Sequence, residues 1–124
     1  MTVVAGPARR LRRAAYIGTL LGDIPESTVR QYRRQGILPG VEIGGHVRFC
    51  VAQVNEAISD LRSSGTSGVD LEREPLRDVQ FIAALLGIKD STVEYYARRG
   101  RIPRVKLGRH VLFIEADVLE AVGM

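Results

Sequence analysis

Apolar residues in the second half of the chain recur at the spacing of one face of a helix. Four of them stand at positions i, i+3, i+4 and i+7: Val79, Ile82, Ala83 and Leu86. This spacing predicts an amphipathic helix. Asp78 precedes it and is suited to cap its first turn, and we expect Gly87 to end it.

A second helix is predicted after a tight turn. It begins at Asp90 or Ser91, and its inward positions are Val93, Tyr96 and Ala97. Gly100 follows its last turn, where a left-handed residue commonly ends a helix. The two helices and their short turn make a helix-turn-helix arrangement.

The apolar period then changes from that of a helix to that of a strand. Val105 and Leu107 alternate with polar residues before Gly108-Arg109, and Val111 and Phe113 alternate after it. This pattern predicts a β-hairpin with a two-residue turn. The final stretch, EADVLEAVGM, predicts a short amphipathic helix.

The first half of the chain repeats the same order of elements. It predicts a helix around Leu11–Leu21, a helix over Pro25–Gln35 with proline in its first turn, the hairpin VEIGGHVRF and a helix over Ala52–Arg62. An offset of 64 residues pairs Ser27 with Ser91 and all later equivalents. Upstream the offset is 65, because the turn GDIPEST has one residue more than GIKDST. Such internal repeats indicate that one structural unit is used twice.

Helix, turn, helix, hairpin and helix is the order of a winged helix-turn-helix; a purely helical repeat would not contain the hairpins. The predicted fold is therefore mainly α with small β-hairpin wings, in two tandem units. Residues 1–62 form the first unit with a basic N-terminal arm, 63–74 a linker, and 75–124 the second unit. The linker opens with SSGTSG and predicts a flexible coil. Units of about 50 residues bury little surface, so we expect them to pack together or to gain order on DNA.

Charge is segregated along the chain. Lysine and arginine number 18 against 14 acidic residues, and one stretch carries six basic residues without an acid: Arg98, Arg99, Arg101, Arg104, Lys106 and Arg109. A solvated surface usually mixes the two signs, whereas a basic face is typical of proteins that bind nucleic acids.

Other chemistry is poorly represented in the sequence. The single cysteine, Cys50, excludes an internal disulfide and any multi-cysteine metal site, and it is interpreted as a small buried hydrophobe. No phosphate-binding glycine loop, metalloprotease motif or nucleophile with its base is evident, so we expect neither an enzyme nor a cofactor or bound metal. No apolar run approaches the roughly 20 residues that span a bilayer, so we expect a cytoplasmic, nucleoid-associated protein with no membrane partner.

The stretch FIAALLGIKDSTVEYYARRGRIPRVKLGRHVLF resembles the excisionase and MerR-like winged-helix family, and TVRQYRRQGIL is similar to the MerR recognition helix. The resemblance implies double-stranded DNA binding by an excisionase, a recombination directionality factor of a phage or mobile element. A small transcriptional regulator without an effector domain is the alternative. A protein-interaction adaptor and a packaging factor similar to a terminase small subunit are alternatives of another class. An integrase or recombinase, or further copies of the chain on DNA, are the protein partners it suggests.

In a helix-turn-helix the second helix enters the major groove, and its outward residues read bases. The expected contacts of the two recognition helices are Ser27, Thr28, Arg30, Gln31, Arg33, Arg34, Ser91, Thr92, Glu94, Tyr95, Arg98 and Arg99. The wings and the basic arm add His46, Arg48, Lys106, Arg109, His110, Arg12 and Arg13, with Arg9 and Arg10 alongside in the arm.

Several of these residues have a plainer interpretation. Tyr95 either contacts thymine methyl groups or packs against the neighbouring unit. His46 and His110 occupy equivalent hairpin positions, which suggests a shared DNA contact or a shared structural role. The arm arginines either follow the DNA backbone or serve solubility.

The outward positions differ between the copies, Arg30-Gln31 in one and Glu94-Tyr95 in the other. Arginine pairs with guanine, glutamine with adenine, and glutamate accepts from cytosine. The sequence therefore predicts that a single chain reads an asymmetric, two-part site.

Overall fold

The computed structural model describes residues 10–66 and 68–124. Within these ranges the chain forms six helices and small antiparallel sheets. The elements are β1 (Leu11–Arg12), α1 (Ala14–Leu20), α2 (Glu26–Arg34), β2 (Val41–Ile43), β3 (His46–Cys50), α3 (Val51–Leu61), α4 (Val79–Leu86), α5 (Asp90–Arg98), β4 (Val105–Leu107), β5 (His110–Leu112) and α6 (Glu115–Ala121). Across the described ranges, none of the helices has the length and apolar character needed to cross a bilayer.

The ends of the helices in the second segment, residues 75–124, follow the sequence signals. The Asp78 carboxylate accepts a hydrogen bond of 2.8 Å from the Phe81 N–H and so caps α4. Gly87 ends α4 in the left-handed conformation, with φ at 69°. Gly100 also takes a positive φ after α5. These three sequence predictions are confirmed.

The first segment, residues 10–62, differs in the turn before its second helix. Pro25 is the N-cap of α2, one position before the predicted first turn. Gly22 and Asp23 both adopt positive φ, at 76° and 62°, and aspartate is one of the few residues besides glycine that tolerates this region. This pair of left-handed residues accommodates the additional residue in the turn.

Each segment contains the predicted hairpin. Each also contains a short additional β-pairing, beside the second hairpin strand, that the sequence does not reveal. In the first segment β1 pairs with β3, and β2 pairs with the other side of β3, giving the order β1-β3-β2. In the second segment β4 pairs with β5, and Arg77 bridges to Phe113. That bridge is equivalent to the pairing of Arg12 with Phe49. A strand of two residues is too short to show a period in the sequence.

The larger apolar core belongs to both segments. From the first segment it takes α1, α2, β3 and α3; from the second it takes Leu76, Val105, Leu107, Leu112 and Ile114. A smaller core lies inside the second segment, around Ile82, Val93 and Phe113. The two segments therefore pack on each other through buried apolar side chains, as their small size leads one to expect.

The flexible coil predicted for residues 63–74 is incorrect for much of that stretch. Leu71 is fully buried in the larger core, and its N–H donates to Asn55 Oδ1 at 3.0 Å. The Ser63 N–H donates to the Arg104 carbonyl, and the Arg104 N–H donates to Ser63 Oγ. The polar neighbours of Leu71 and Val69 conceal the two apolar side chains that pack this stretch against the core.

Candidate nucleic-acid interface

A basic cleft lies between the recognition helix α2 and the hairpin of the first segment; we call it the first cleft. Its lining residues come from the start of α1, from α2 and from the hairpin: Arg13, Ala14, Glu26, Arg30, Gly45, His46, Val47 and Arg48. Three arginines and a histidine face one carboxylate there. Glu26 lies 3.6 Å from Arg30 in an exposed ion pair, which leaves the cleft positive overall.

A second cleft lies at the matching place in the second segment, between α5 and its own hairpin. It is lined by Val79, Glu94, Ala97, Arg98, Arg104, Arg109, His110, Val111 and Phe113. Five of these positions are the sequence equivalents of first-cleft residues: Val79 of Ala14, Glu94 of Arg30, Arg109 of Gly45, His110 of His46 and Val111 of Val47. The fold thus forms the same concave surface twice.

The two clefts carry their charge at different positions. Arg30 of α2 is replaced by Glu94 on α5, whereas Gly45 at the first hairpin turn is replaced by Arg109. Both Gly44 and Gly45 take positive φ, but only Gly108 does so in the second turn. The second turn can therefore hold an arginine, and both clefts remain basic with different patterns of donors and acceptors.

Most predicted residues of the recognition helices are exposed. They are Ser27, Arg30, Gln31, Arg34, Ser91, Glu94, Tyr95, Arg98 and Arg99. Arg33 is half-buried and lies 3.5 Å from Glu42 on β2, so it joins α2 to its own hairpin. Thr92 is half-buried as well.

The outward position expected for Thr28 is wrong. Its side chain is buried, in a small cleft that also contains Tyr32 and the tip of the second hairpin, Gly108-Arg109. The helical period alone puts Thr28 on the outward side of α2, and only the neighbouring segment covers it.

Tyr95 is exposed, and the contacts it makes belong to its own helix. Its ring meets the Tyr96 ring edge to face, with centroids 5.3 Å apart. The Arg99 guanidinium lies 4.5 Å from the Tyr95 centroid, a cation–π distance. The tyrosine and the arginine therefore form one flat, positively charged patch beside the second cleft.

The two hairpin histidines do not share one role, contrary to the expectation from their matching positions. His46 is exposed at the end of the first hairpin. His110 Nδ1 lies 2.6 Å from the Tyr32 hydroxyl, across the boundary between the segments. Burial, with the adjacent Arg109 charge as a lesser cause, lowers the pKa of His110. The imidazole is thereby favoured in its neutral form, in which Nδ1 can accept from the hydroxyl.

The other basic residues of the wings differ in their exposure to solvent. Lys106 and Arg109 are exposed. Arg48 is half-buried, and one guanidinium nitrogen donates to the Val47 carbonyl at 2.8 Å. Arg104 lines the second cleft although it is absent from the predicted contacts; its place in the basic run from Arg98 to Arg109 is the signal that identifies it.

Arg12 does not belong to a free basic arm. Its guanidinium lies 3.6 Å from Glu72 and 4.5 Å from the centroid of the Tyr16 ring. Tyr16 also donates to the Glu72 carboxylate, a hydrogen bond that raises the pKa of the tyrosine. Arg77, the equivalent of Arg12, lies over Phe81 in the same way. Arg13 is exposed and lines the first cleft, Arg10 is exposed, and Arg9 lies outside the described residues.

Comparison with known proteins agrees with this arrangement in the second segment. Residues 78–122 match the family model of a helix-turn-helix domain of the excisionase-like family, and the match runs from the Asp78 cap through α4, α5, the hairpin and α6. Neither the curated proteins nor the solved structures include a match to this chain. The helix-turn-helix match indicates that the chain binds DNA.

Proposed function

We propose that this chain is a sequence-specific double-stranded DNA-binding protein built from two tandem winged helix-turn-helix units. The observation that carries the proposal is the pair of equivalent clefts, each bounded by a second helix and its hairpin and each lined by arginines. Helix and wing flank a groove and a phosphate chain in this type of module. The match of residues 78–122 to a helix-turn-helix domain supports the assignment for the second unit.

In this proposal α2 and α5 enter the major groove of DNA. Arg30, Gln31 and Arg34 are exposed on α2 and offer donors suited to guanine and adenine edges. Glu94, Tyr95 and Arg98 are exposed at the corresponding positions of α5, where the glutamate accepts from a cytosine amino group. Because these sets differ, the two units read different bases, and the site is asymmetric.

The clefts supply contacts that do not depend on sequence. Arg13, His46 and Arg48 flank α2, while Arg104 and Arg109 flank α5. Cationic side chains at the edges of a recognition helix neutralise phosphates and fix the register of the protein on the duplex. Lys106 is exposed on β4 and adds to the same charge.

For the biological role we favour a recombination directionality factor of a phage or mobile element. The resemblance of the stretch FIAALLGIKDSTVEYYARRGRIPRVKLGRHVLF to excisionases motivates this choice over a transcriptional regulator. An integrase or recombinase bound at neighbouring DNA is then the protein partner. Footprinting on the element's attachment sites and on its promoters separates the two roles, because an excisionase protects the former.

Selection of bound duplexes from a random pool tests the proposal. We expect enrichment of a two-part motif without two-fold symmetry, and a logarithm of affinity that falls linearly with the logarithm of salt concentration. A palindromic motif would contradict the asymmetric reading. No enrichment at all, together with an affinity that salt does not change, would contradict DNA binding itself.

Substitution of Arg34 tests the reading of bases by α2. Arg34→Ala should weaken binding to the selected duplex by about 1–3 kcal/mol and relax the preference in one half-site only. The matched control is Arg73→Ala, which removes an equally exposed arginine from the segment between the units. An equal loss for both variants, or an equal loss on scrambled DNA, would mean that Arg34 contributes only charge.

A further inference from the structure

The second segment docks on the first through one apolar surface, formed by its hairpin strand β4 and by Leu76, which precedes α4. Leu76, Val105 and Leu107 are 2%, 0% and 0% exposed. They share a continuous cluster with residues of the first segment, among them Leu20, Tyr32 and Ile58, which are themselves buried. The Leu76 N–H donates to the Leu20 carbonyl at 2.9 Å, and β4 packs against α3.

The hairpin turn completes this contact. Gly108 approaches the Tyr32 ring so closely that a Cβ there would lie 2.6 Å from it, and His110 bonds to the Tyr32 hydroxyl. We call Leu76, Val105, Leu107 and this turn the docking side. The surface of the first segment that they cover, Leu20, Tyr32 and Ile58, is the receiving side.

A second docking side is present in the first segment and is uncovered. Leu11, Val41 and Ile43 are the equivalents of Leu76, Val105 and Leu107, and they are 41%, 42% and 56% exposed. Gly44, the equivalent of Gly108, has no atom within 4 Å of the place where a Cβ would stand. β2, which carries two of these side chains, is also an edge of its sheet, and an exposed apolar edge is a ready surface for another chain.

A second receiving side is present in the second segment and is also uncovered. Leu85 and Val122 are the equivalents of Leu20 and Ile58, and they are 39% and 45% exposed. Tyr96, the equivalent of Tyr32, is half-buried. His46 is the equivalent of His110. If the first hairpin of another copy docked here, its His46 would meet the Tyr96 hydroxyl as His110 meets that of Tyr32.

The polar positions of the contact depart from this correspondence, since Arg104 and Arg109 are replaced by Gly40 and Gly45, and so does one apolar position. Leu112 on β5 contacts Gly22 of the first segment, whereas the residue equivalent to Leu112 is Arg48. The aliphatic part of an arginine can cover the same surface while its charged end stays in water. The remaining docking positions keep an apolar residue, although in the first segment these side chains face solvent.

We propose that a second copy of this chain docks its first hairpin on the second segment of the first copy, and so repeats between molecules the contact already made within each molecule. Each copy then has one free docking side and one free receiving side. Such a head-to-tail interface does not close on itself unless it forms a ring, so it extends into a chain of copies. The proposal rests on the two-unit repeat of the proposed function but requires no DNA.

Sedimentation of the full chain without DNA, over a range of concentrations, tests this interface. We expect the average mass to rise steadily with concentration. Ile43→Asp removes the docking side, and Val122→Asp removes the receiving side. A carboxylate buried without a partner is unfavourable, so each variant alone should associate at least roughly 100-fold more weakly than the parent and remain monomeric.

The mixture of the two variants is the decisive measurement. Ile43→Asp keeps an intact receiving side and Val122→Asp keeps an intact docking side, so an equimolar mixture should form dimers and nothing larger. Gln80→Asp is the matched control, because the equivalent Ala15 stays exposed beside the existing contact; it should associate like the parent. Circular dichroism checks that all variants are folded.

Three results would overturn the proposal: a parent chain that stays monomeric at every concentration, single variants that associate like the parent, or a mixture that stays monomeric. These outcomes are independent of DNA binding, which is measured separately by anisotropy. A chain that binds DNA yet never associates would disprove this interface and leave the proposed function intact.

Discussion

Arg30 and Glu94 stand at the same place in two equivalent clefts and carry opposite charges. Both side chains are exposed, so the charge at this position can differ between the segments without disturbing the fold. Arg34 and Arg98 stay arginine one turn later in each helix. In the proposed function, the variable position is where the two units read different bases, and the constant position is where they make the same contact.

Reversing the charge of Glu94 should strengthen binding to duplexes of unselected sequence, although the proposed cytosine contact of this carboxylate is lost. Glu94→Arg gives the second cleft the arginine that the first cleft has at Arg30, in addition to its own Arg109. One additional phosphate contact then steepens the slope of log affinity against log salt by about 1. Anisotropy titrations at several salt concentrations measure this. Glu120→Arg makes the same change in net charge at an exposed position of α6, outside the residues that line the cleft, and should leave the slope nearly unchanged.

The pKa of His110 predicts a stability that depends on pH. Burial lowers this pKa below its usual value of 6.5, so between the two values the unfolded chain binds more protons than the folded chain. The free energy of unfolding should therefore be highest above pH 6.5 and fall as the pH drops through 6.5 towards the lower pKa of the folded state.

Denaturant titrations from pH 5 to 8 measure this effect. His110→Gln should flatten the part of the profile that arises from this group. His46→Gln, at the exposed equivalent position, should retain the profile of the parent. The same profile in both variants would show that His110 is not the group responsible.

The two hairpins show which structural features local sequence patterns can predict and which they cannot. Their alternation and their glycine turns predict both hairpins correctly, because strand period and turn chemistry are local. The pairs Val41-Ile43 and Val105-Leu107 alternate identically, yet one pair is exposed and the other is buried. Only the position of the neighbouring segment decides which is covered, and no local period contains that information.

In the candidate site, too, local sequence patterns predict some features, and packing between distant parts of the chain decides the others. The exposed faces of α2 and α5 are predictable from helical period, and the basic wings are predictable from strand alternation and turn glycines. The burial of Thr28, the bond from His110 to Tyr32 and the pairing of Arg12 with Glu72 all involve residues from different segments. Leu71 is missed for the same reason, since its place in the core depends on packing between distant parts of the chain.

Replacing the glycine of each hairpin turn by alanine distinguishes the cost of local backbone strain from the cost of disturbed packing between the segments. Gly44 and Gly108 have nearly equal φ, 56° and 57°, so alanine costs each turn about 1–2 kcal/mol of backbone strain. Gly108→Ala also forces a Cβ against the Tyr32 ring, which should add roughly 1–3 kcal/mol.

Chemical denaturation of both variants gives the comparison. The difference between their free energies of unfolding isolates the contact of the second hairpin with α2. Equal losses would mean that this hairpin moves away from Tyr32 without cost.

The shared core sets the distance between α2 and α5, the two helices that we propose to read DNA. Leu76, Val105 and Leu107 are buried against the first segment, and Ser63 and Arg104 are joined by two hydrogen bonds. A flexible tether would let the units adjust to different separations on DNA, whereas this core fixes one. The chain should accordingly be strict about the spacing of its two half-sites.

Changing the spacing in the selected duplex tests this strictness. Insertion of about 10 base pairs restores the same face of the helix, so two loosely tethered units would still bind. With the shared core we expect the affinity to fall to that of a duplex that carries one half-site. Retained affinity at the longer spacing would show that the segments separate on DNA.

The burial of Val105 and Leu107 also bears on how such a chain can be inherited. If recombination moved residues 75–124 into another protein, these side chains and Leu76 would be left facing water, where contiguous apolar surface promotes aggregation. The second half on its own would therefore expose an apolar surface that the first half now covers. Over generations, a change in the packing surface of either half requires a matching change in the other.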